Sequence, residues 1–143
     1  MSFNYFAQSD ITFGRGAIAE LPVLIKRLRM TDVMVIYDQG VKIAGIADQV
    51  LEKIKSTGAA MTVYDEVQPN PTNEQAEEAA AIARAANINS FIAVGGGSSI
   101  DLAKAANILM TNPGPIGQYA GIGNVKNSLY PLIAIPTTAG TSS

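Results

Sequence analysis

Residues 91–109, FIAVGGGSSIDLAKAANIL, decide the fold. Phe91 to Val94 is a short apolar run of strand length, and from Ser98 to about Met110 the apolar residues recur at helical spacing. Between them stand Gly95, Gly96 and Gly97. Glycine weakens both a strand and a helix, so three in a row need a reason. Bare backbone lets a ligand come close to the main chain. The helix that follows turns its free N–H groups and the positive end of its dipole toward that ligand. An anion, most simply a phosphate, is the natural guest. One glycine would be explained by a tight turn; three after a buried strand favour the phosphate. The pattern is neither GxGxxG nor a P-loop, whose lysine is missing. Ser98 falls where an N-cap would stand, and its hydroxyl is a further donor.

The same alternation extends on both sides. Val33-Met34-Val35-Ile36-Tyr37 is a β-branched apolar run closed by Asp38-Gln39-Gly40, the pattern of a strand buried on both faces. Ile46, Val50 and Ile54 recur at helical spacing, and Gly58 stops that helix. Ala59 to Tyr64 reads as the next strand. Pro69-Asn70-Pro71 forbids regular structure. Thr72 with Gln75 resembles a capping box that opens an Ala-rich helix from about Asn73 to Ala86. Asn112-Pro113-Gly114-Pro115 and the glycines up to Gly123 predict a long loop, and Leu132 to Ile135 a fourth strand. Ahead of all this, Ile18 to Leu28 looks helical, with Pro22 in its first turn. Strands alternating with helices predict right-handed crossovers and a parallel sheet. Such a sheet binds ligands outside the carboxyl ends of its strands, so the residues just after each strand are the informative ones.

Composition narrows the chemistry. With 143 residues, 48% hydrophobic and 15% charged, the chain suits one globular domain with a large core. The formal net charge is −2 and no basic stripe is present, which argues against nucleic acid. Nothing reads as a signal peptide or a membrane span, and the expected location is the cytoplasm. There is no cysteine, hence no disulfide, thiolate metal site or thiol nucleophile. There is no histidine either, so neither a complete Ser-His-Asp triad nor a His-ligated metal can be built from these residues.

Polar residues at the other strand ends admit two readings each. Asp38 could accept both hydroxyls of an adenosine ribose and repel a 2′-phosphate. It precedes the glycine loop instead of following it by about 20 residues as usual, so the residues alone favour a turn aspartate. Asp101, Lys104 and Asn107 form the only polar stripe of an otherwise apolar helix. An i,i+3 ion pair explains the first two as well as a ligand does. Pro136-Thr137-Thr138-Ala139-Gly140-Thr141 offers hydroxyls for phosphate or ribose, or is a polar loop. Arg15, between Gly14 and Gly16, is more simply a solvated turn residue than a phosphate ligand.

Taken together, FGRGA (13–17), YDQG (37–40), QPNPT (68–72), AVGGGSSIDLAKA (93–105) and AIPTTAGTSS (134–143) resemble the iron-containing (group III) alcohol dehydrogenase family. Glycerol dehydrogenases and dehydroquinate synthases share the glycine loop, but the AGTSS ending is closer to the alcohol dehydrogenases. The resemblance implies a Rossmann-like three-layer α/β domain with a mostly parallel sheet, of the dehydroquinate synthase-like superfamily. It implies that Gly96, Gly97 and Ser98 hold the pyrophosphate of NAD and that Asp101 lies beside the cofactor. It implies that Asp38 binds the adenosine ribose, with NAD favoured over NADP, and that Asn70, Thr137, Thr138 and Thr141 make further cofactor contacts. Family members interconvert primary alcohols or diols and aldehydes, often as dimers, with iron or sometimes zinc held by one Asp and three His in a C-terminal helical domain. No residue here matches those ligands. Residues 1–143 are therefore expected to be the N-terminal NAD-binding part, itself incomplete, of a longer enzyme, and to be inactive alone. The alternatives are a free-standing nucleotide- or phosphate-binding module and the glycerol dehydrogenase or dehydroquinate synthase branch.

Overall fold

The computed structural model describes residues 10–12, 15–112 and 129–137, with side chains described from Ile18 onward. Five strands, β1 (Asp10–Thr12), β2 (Asp32–Tyr37), β3 (Ala60–Tyr64), β4 (Ser90–Gly95) and β5 (Leu132–Pro136), form one sheet in the order β1-β5-β4-β2-β3. Every pairing is parallel. The helices are α1 (Leu21–Arg27), α2 (Gln39–Ile43), α3 (Ile46–Lys55), α4 (Asn73–Ala85) and α5 (Gly97–Thr111).

The period of two along the central strands builds the three layers. Met34, Ile36, Phe91, Ala93, Leu132 and Ala134 pack on one face with α4 and α5. Val33, Val35, Tyr37, Ile92, Val94, Ile133 and Ile135 pack on the other with α1 and α3. Apolar residues on both faces are why β2, β4 and β5 read as unbroken hydrophobic runs. At the sheet edge β3 is more exposed, and only Tyr64 of its five residues is buried.

The four expected strands and three main helices are present. The expected helix at Ile18–Leu28 is a 3₁₀ segment, Arg15–Glu20, followed by α1 with Pro22 in its first turn. β1 and α2 were not foreseen. The Pro113–Gly123 loop lies outside the described residues.

One correction concerns α5. Its N-cap is Gly96, not Ser98, and the helix begins at Gly97. Gly96 has extended backbone (φ −88°, ψ −167°) and no side chain to cap with. A second concerns Gln75. The Thr72 hydroxyl accepts from the Gln75 N–H at 3.1 Å as a capping box requires, but the Gln75 side chain turns away from Thr72 to the preceding loop. A third concerns the polar stripe. Asn107 is fully buried and bonded both ways to the backbone of Tyr130, ahead of β5, so it is a structural clamp.

Candidate cofactor-binding cleft

After β2 the chain turns toward β3, and after β4 toward β5, on opposite sides of the β2–β4 pair. The connections diverge there and leave a crevice at the carboxyl ends of two adjacent parallel strands. Tyr37 and Val94 are the last paired residues of that pair, so Asp38 and Gly95-Gly96-Gly97 flank its mouth. An open cleft of about 890 Å³ lies here, lined by Asp38, Gln39, Gly40, Glu66, Val67, Gln68, Pro69 and Ser98.

The three glycines do different things. Gly95 has φ +135°, and a Cβ there would stand 3.0 Å from the Ser99 hydroxyl oxygen and 3.3 Å from a Val41 methyl. Gly95 is thus demanded by the fold itself. Gly96 caps α5 through its backbone. Around a Cβ placed on Gly97, by contrast, nothing lies within 4 Å. The first N–H groups of α5 have no acceptor within the helix, and the positive end of the dipole coincides with them. The space over Gly97 is therefore open at the place where an anion would be held.

Asp38 caps α2: one carboxylate oxygen accepts from the Val41 N–H at 2.9 Å. It is half-buried and still faces the cleft. The turn reading and the cleft-lining position thus both hold for this one side chain. Glu66 lines the cleft as a second carboxylate, and among the described residues no Lys or Arg lines it. Gln39 donates to the Asp65 carbonyl at 2.9 Å, and Lys42 lies 3.6 Å from the Asp65 carboxylate, tying α2 to the loop after β3. Asn70 is in the left-handed region (φ +53°), and its N–H meets the Ser98 hydroxyl oxygen at a long 3.4 Å. Thr137 extends the β4–β5 ladder by donating its N–H to the Gly95 carbonyl at 3.1 Å. Asp101 follows Ser98 by three positions on α5, and burial raises its carboxyl pKa while the Lys104 charge pulls it partly back. Ser99 is fully buried, and its hydroxyl has no hydrogen-bond partner among the described residues.

Asp38, Asn70, Gly96, Gly97, Ser98 and Thr137 thus gather at adjacent strand ends, with Asp101 one turn along α5. Thr138 and Thr141 lie outside the described residues. Gln39, Glu66 and Gln75 were not singled out as site residues. Gln75 did carry a signal, as the fourth residue of the capping-box pattern, but the pattern gives no direction for its side chain.

Comparison with known proteins decides the family. The family model for iron-containing alcohol dehydrogenases matches residues 8–143. The chain belongs to the iron-containing alcohol dehydrogenase family. A member from Bacillus methanolicus, NAD-dependent methanol dehydrogenase, is 31% identical over 140 residues, covering 98% of this chain and 37% of that protein. The solved alcohol dehydrogenase from Oenococcus oeni superposes with a TM-score of 0.84 at 35% identity, over 98% of this chain and 37% of that one. NADH-dependent butanol dehydrogenase A from Thermotoga maritima gives a TM-score of 0.80 at 29% identity, over 98% and 35% respectively. The chain spans little more than a third of the length of these relatives.

The family name implies iron, and the names of two relatives a nicotinamide dinucleotide. A dinucleotide fits the residues present: a bare backbone over Gly97, a helix N-terminus behind it, and an acid-lined cleft beside it. Iron does not. Among the described residues no group of three or more His, Cys, Asp or Glu could hold a metal ion. No described helix is long and apolar enough to cross a membrane.

Proposed function

We propose that this chain is the NAD-binding part of an alcohol dehydrogenase that interconverts primary alcohols or diols and aldehydes. The observation that carries the reading is the open space over Gly97 at the N-terminus of α5, beside a cleft containing Asp38. In this reading the backbone of Gly96 and Gly97 and the Ser98 hydroxyl hold the pyrophosphate, against the positive end of α5. Asp38 accepts the hydroxyls of the adenosine ribose through the carboxylate oxygen that does not cap α2. With Glu66 it opposes a 2′-phosphate, since like charges brought together in a partly shielded cleft repel and no cation among the described residues lines the cleft to offset them. Asn70, Asp101, Thr137, Thr138 and Thr141 complete the cofactor contacts. NAD supplies the hydride acceptor, and this chain's part is to bind and orient it.

The metal ligands, the substrate contacts and a helical second domain belong, in this reading, to residues beyond the 143 of this sequence. The chain alone therefore binds cofactor without turnover, and the complete enzyme is a homodimer or larger homo-oligomer. Names among its relatives support the cofactor assignment, one being an NAD-dependent methanol dehydrogenase and another an NADH-dependent butanol dehydrogenase.

The test is cofactor selectivity by fluorescence titration of the chain. The wild type should bind NADH more tightly than NADPH, and Asp38→Gly should narrow the gap. A ratio unmoved by the substitution would leave Asp38 as a helix cap only.

A further inference from the structure

One wall of the cleft is a loop without regular structure, residues 65–72, and it includes four of the cleft-lining residues. A loop of this kind has to be held by something other than a strand ladder or a helix. Three of its residues are attached from outside or at its ends: Asp65 by the Gln39 amide and the Lys42 ammonium, Asn70 by its N–H to the Ser98 hydroxyl, and Thr72 by its cap of α4. Between the first and the other two, the loop is gripped by one side chain. The Gln75 amide nitrogen donates to the Glu66 carbonyl at 2.9 Å, and its amide oxygen accepts from the Gln68 N–H at 3.3 Å. The two bonds bracket Val67, which points into the α4 side of the core. Both bracketed residues, Glu66 and Gln68, line the cleft. A primary amide meets an extended backbone in this paired way because it offers a donor and an acceptor side by side.

We propose that Gln75 is a positioning residue for the cofactor site: its side-chain amide fixes the 66–68 wall and so sets the form of the cleft that receives the adenosine end of the dinucleotide. This rests on the cofactor reading above. Gln75 itself touches no ligand. Without its amide the wall samples other conformations, and the apparent affinity falls by the fraction of time the competent one is lost. The pyrophosphate seat on Gly96, Gly97 and Ser98 belongs to α5 and stays as it is. The effect should therefore fall on ligands with an adenosine and spare those without one. A general loss of structure would not make that distinction.

The test compares NADH with inorganic pyrophosphate as ligands of the wild-type chain and of Gln75→Met. Methionine has a similar length but neither amide bond, and the Thr72 cap to the residue 75 N–H survives. NADH binding should weaken about five- to tenfold, the cost of two neutral hydrogen bonds and a loosened wall. Pyrophosphate binding should stay within about twofold, and the unfolding temperature should move little. Gln75→Leu also removes both bonds without adding a charge beside the cleft; it should show the same split and serves if the methionine variant does not fold. Unchanged NADH affinity, or NADH and pyrophosphate weakening together, would overturn the proposal. A wild-type chain that binds pyrophosphate but not NADH would instead overturn the cofactor reading, and this inference with it.

Discussion

The Ser99 hydroxyl oxygen occupies the space beside Gly95 where any other residue would carry its Cβ, 3.0 Å away. Gly95 also has φ +135°, a conformation L side chains rarely adopt. Strain and collision therefore act together, and Gly95→Ala should destabilise the chain by about 2–3 kcal/mol in urea unfolding. Ser99→Ala removes the nearest obstacle and a buried hydroxyl that lacks a partner among the described residues, and places the better helix former on α5. Alone it should be neutral or stabilising by up to about 1 kcal/mol. In the double variant part of the Gly95→Ala loss should return. Strict additivity of the two would show that the pair is not coupled.

Asn107 is a polar residue committed to the fold. It donates to the Tyr130 carbonyl at 2.9 Å and accepts from the Tyr130 N–H at 3.0 Å from a fully buried position. Asn107→Leu, close in volume, removes both bonds and should cost about 2–4 kcal/mol, most of it for leaving backbone groups less well paired. Calorimetric unfolding measures it. A loss under about 0.5 kcal/mol would mean that the clamp contributes little.

Tyr64 gives the stability a pH dependence. Its hydroxyl lies 3.5 Å from the Glu78 carboxylate, and burial together with that charge pushes its pKa up to about 12 from an ordinary 10.0. The unfolded chain then loses the phenolic proton first. Stability from this group is complete below pH 10 and is lost as pH rises from 10 to about 12. Tyr64→Phe should flatten the fall in that window, followed by the urea midpoint against pH. An identical fall in both proteins would assign it to other groups.

How far the sequence carried these features depends on where each signal lives. β2, β4 and β5 were legible because apolar residues fill both faces, and a run such as Val33–Tyr37 has few other uses. β1 is Asp10-Ile11-Thr12, three residues defined by pairing with Leu132–Ala134, a relationship no local pattern announces. Asp38-Gln39-Gly40 reads locally as a turn, and the five-residue α2 it opens is too short to show a period. Gly96 could not be read as an N-cap because a glycine cap leaves no side-chain mark, while the serine two positions on imitates one. The stripe Asp101, Lys104, Asn107 was visible, but Asn107 belongs to the core through Tyr130, which is 23 positions away. The glycine loop, Asp38, Asn70 and Thr137 were legible as a set because a doubly wound sheet brings its strand ends together. Their joint position in space follows from that topology, while the grip of Gln75 on residues 66–68 follows from a side-chain direction that only the fold reveals.

The most direct measurement of the central claim is NADH affinity in wild type and in Gly97→Val. Beyond its chain neighbours and its own helix backbone, a Cβ at Gly97 meets nothing within 4 Å, so the variant should fold with an unfolding temperature close to that of the wild type. Its branched side chain stands where the pyrophosphate is proposed to sit, and NADH binding should fall by about tenfold or more. Folded Gly97→Val that binds NADH as tightly as the wild type would contradict the assignment of this loop to the cofactor.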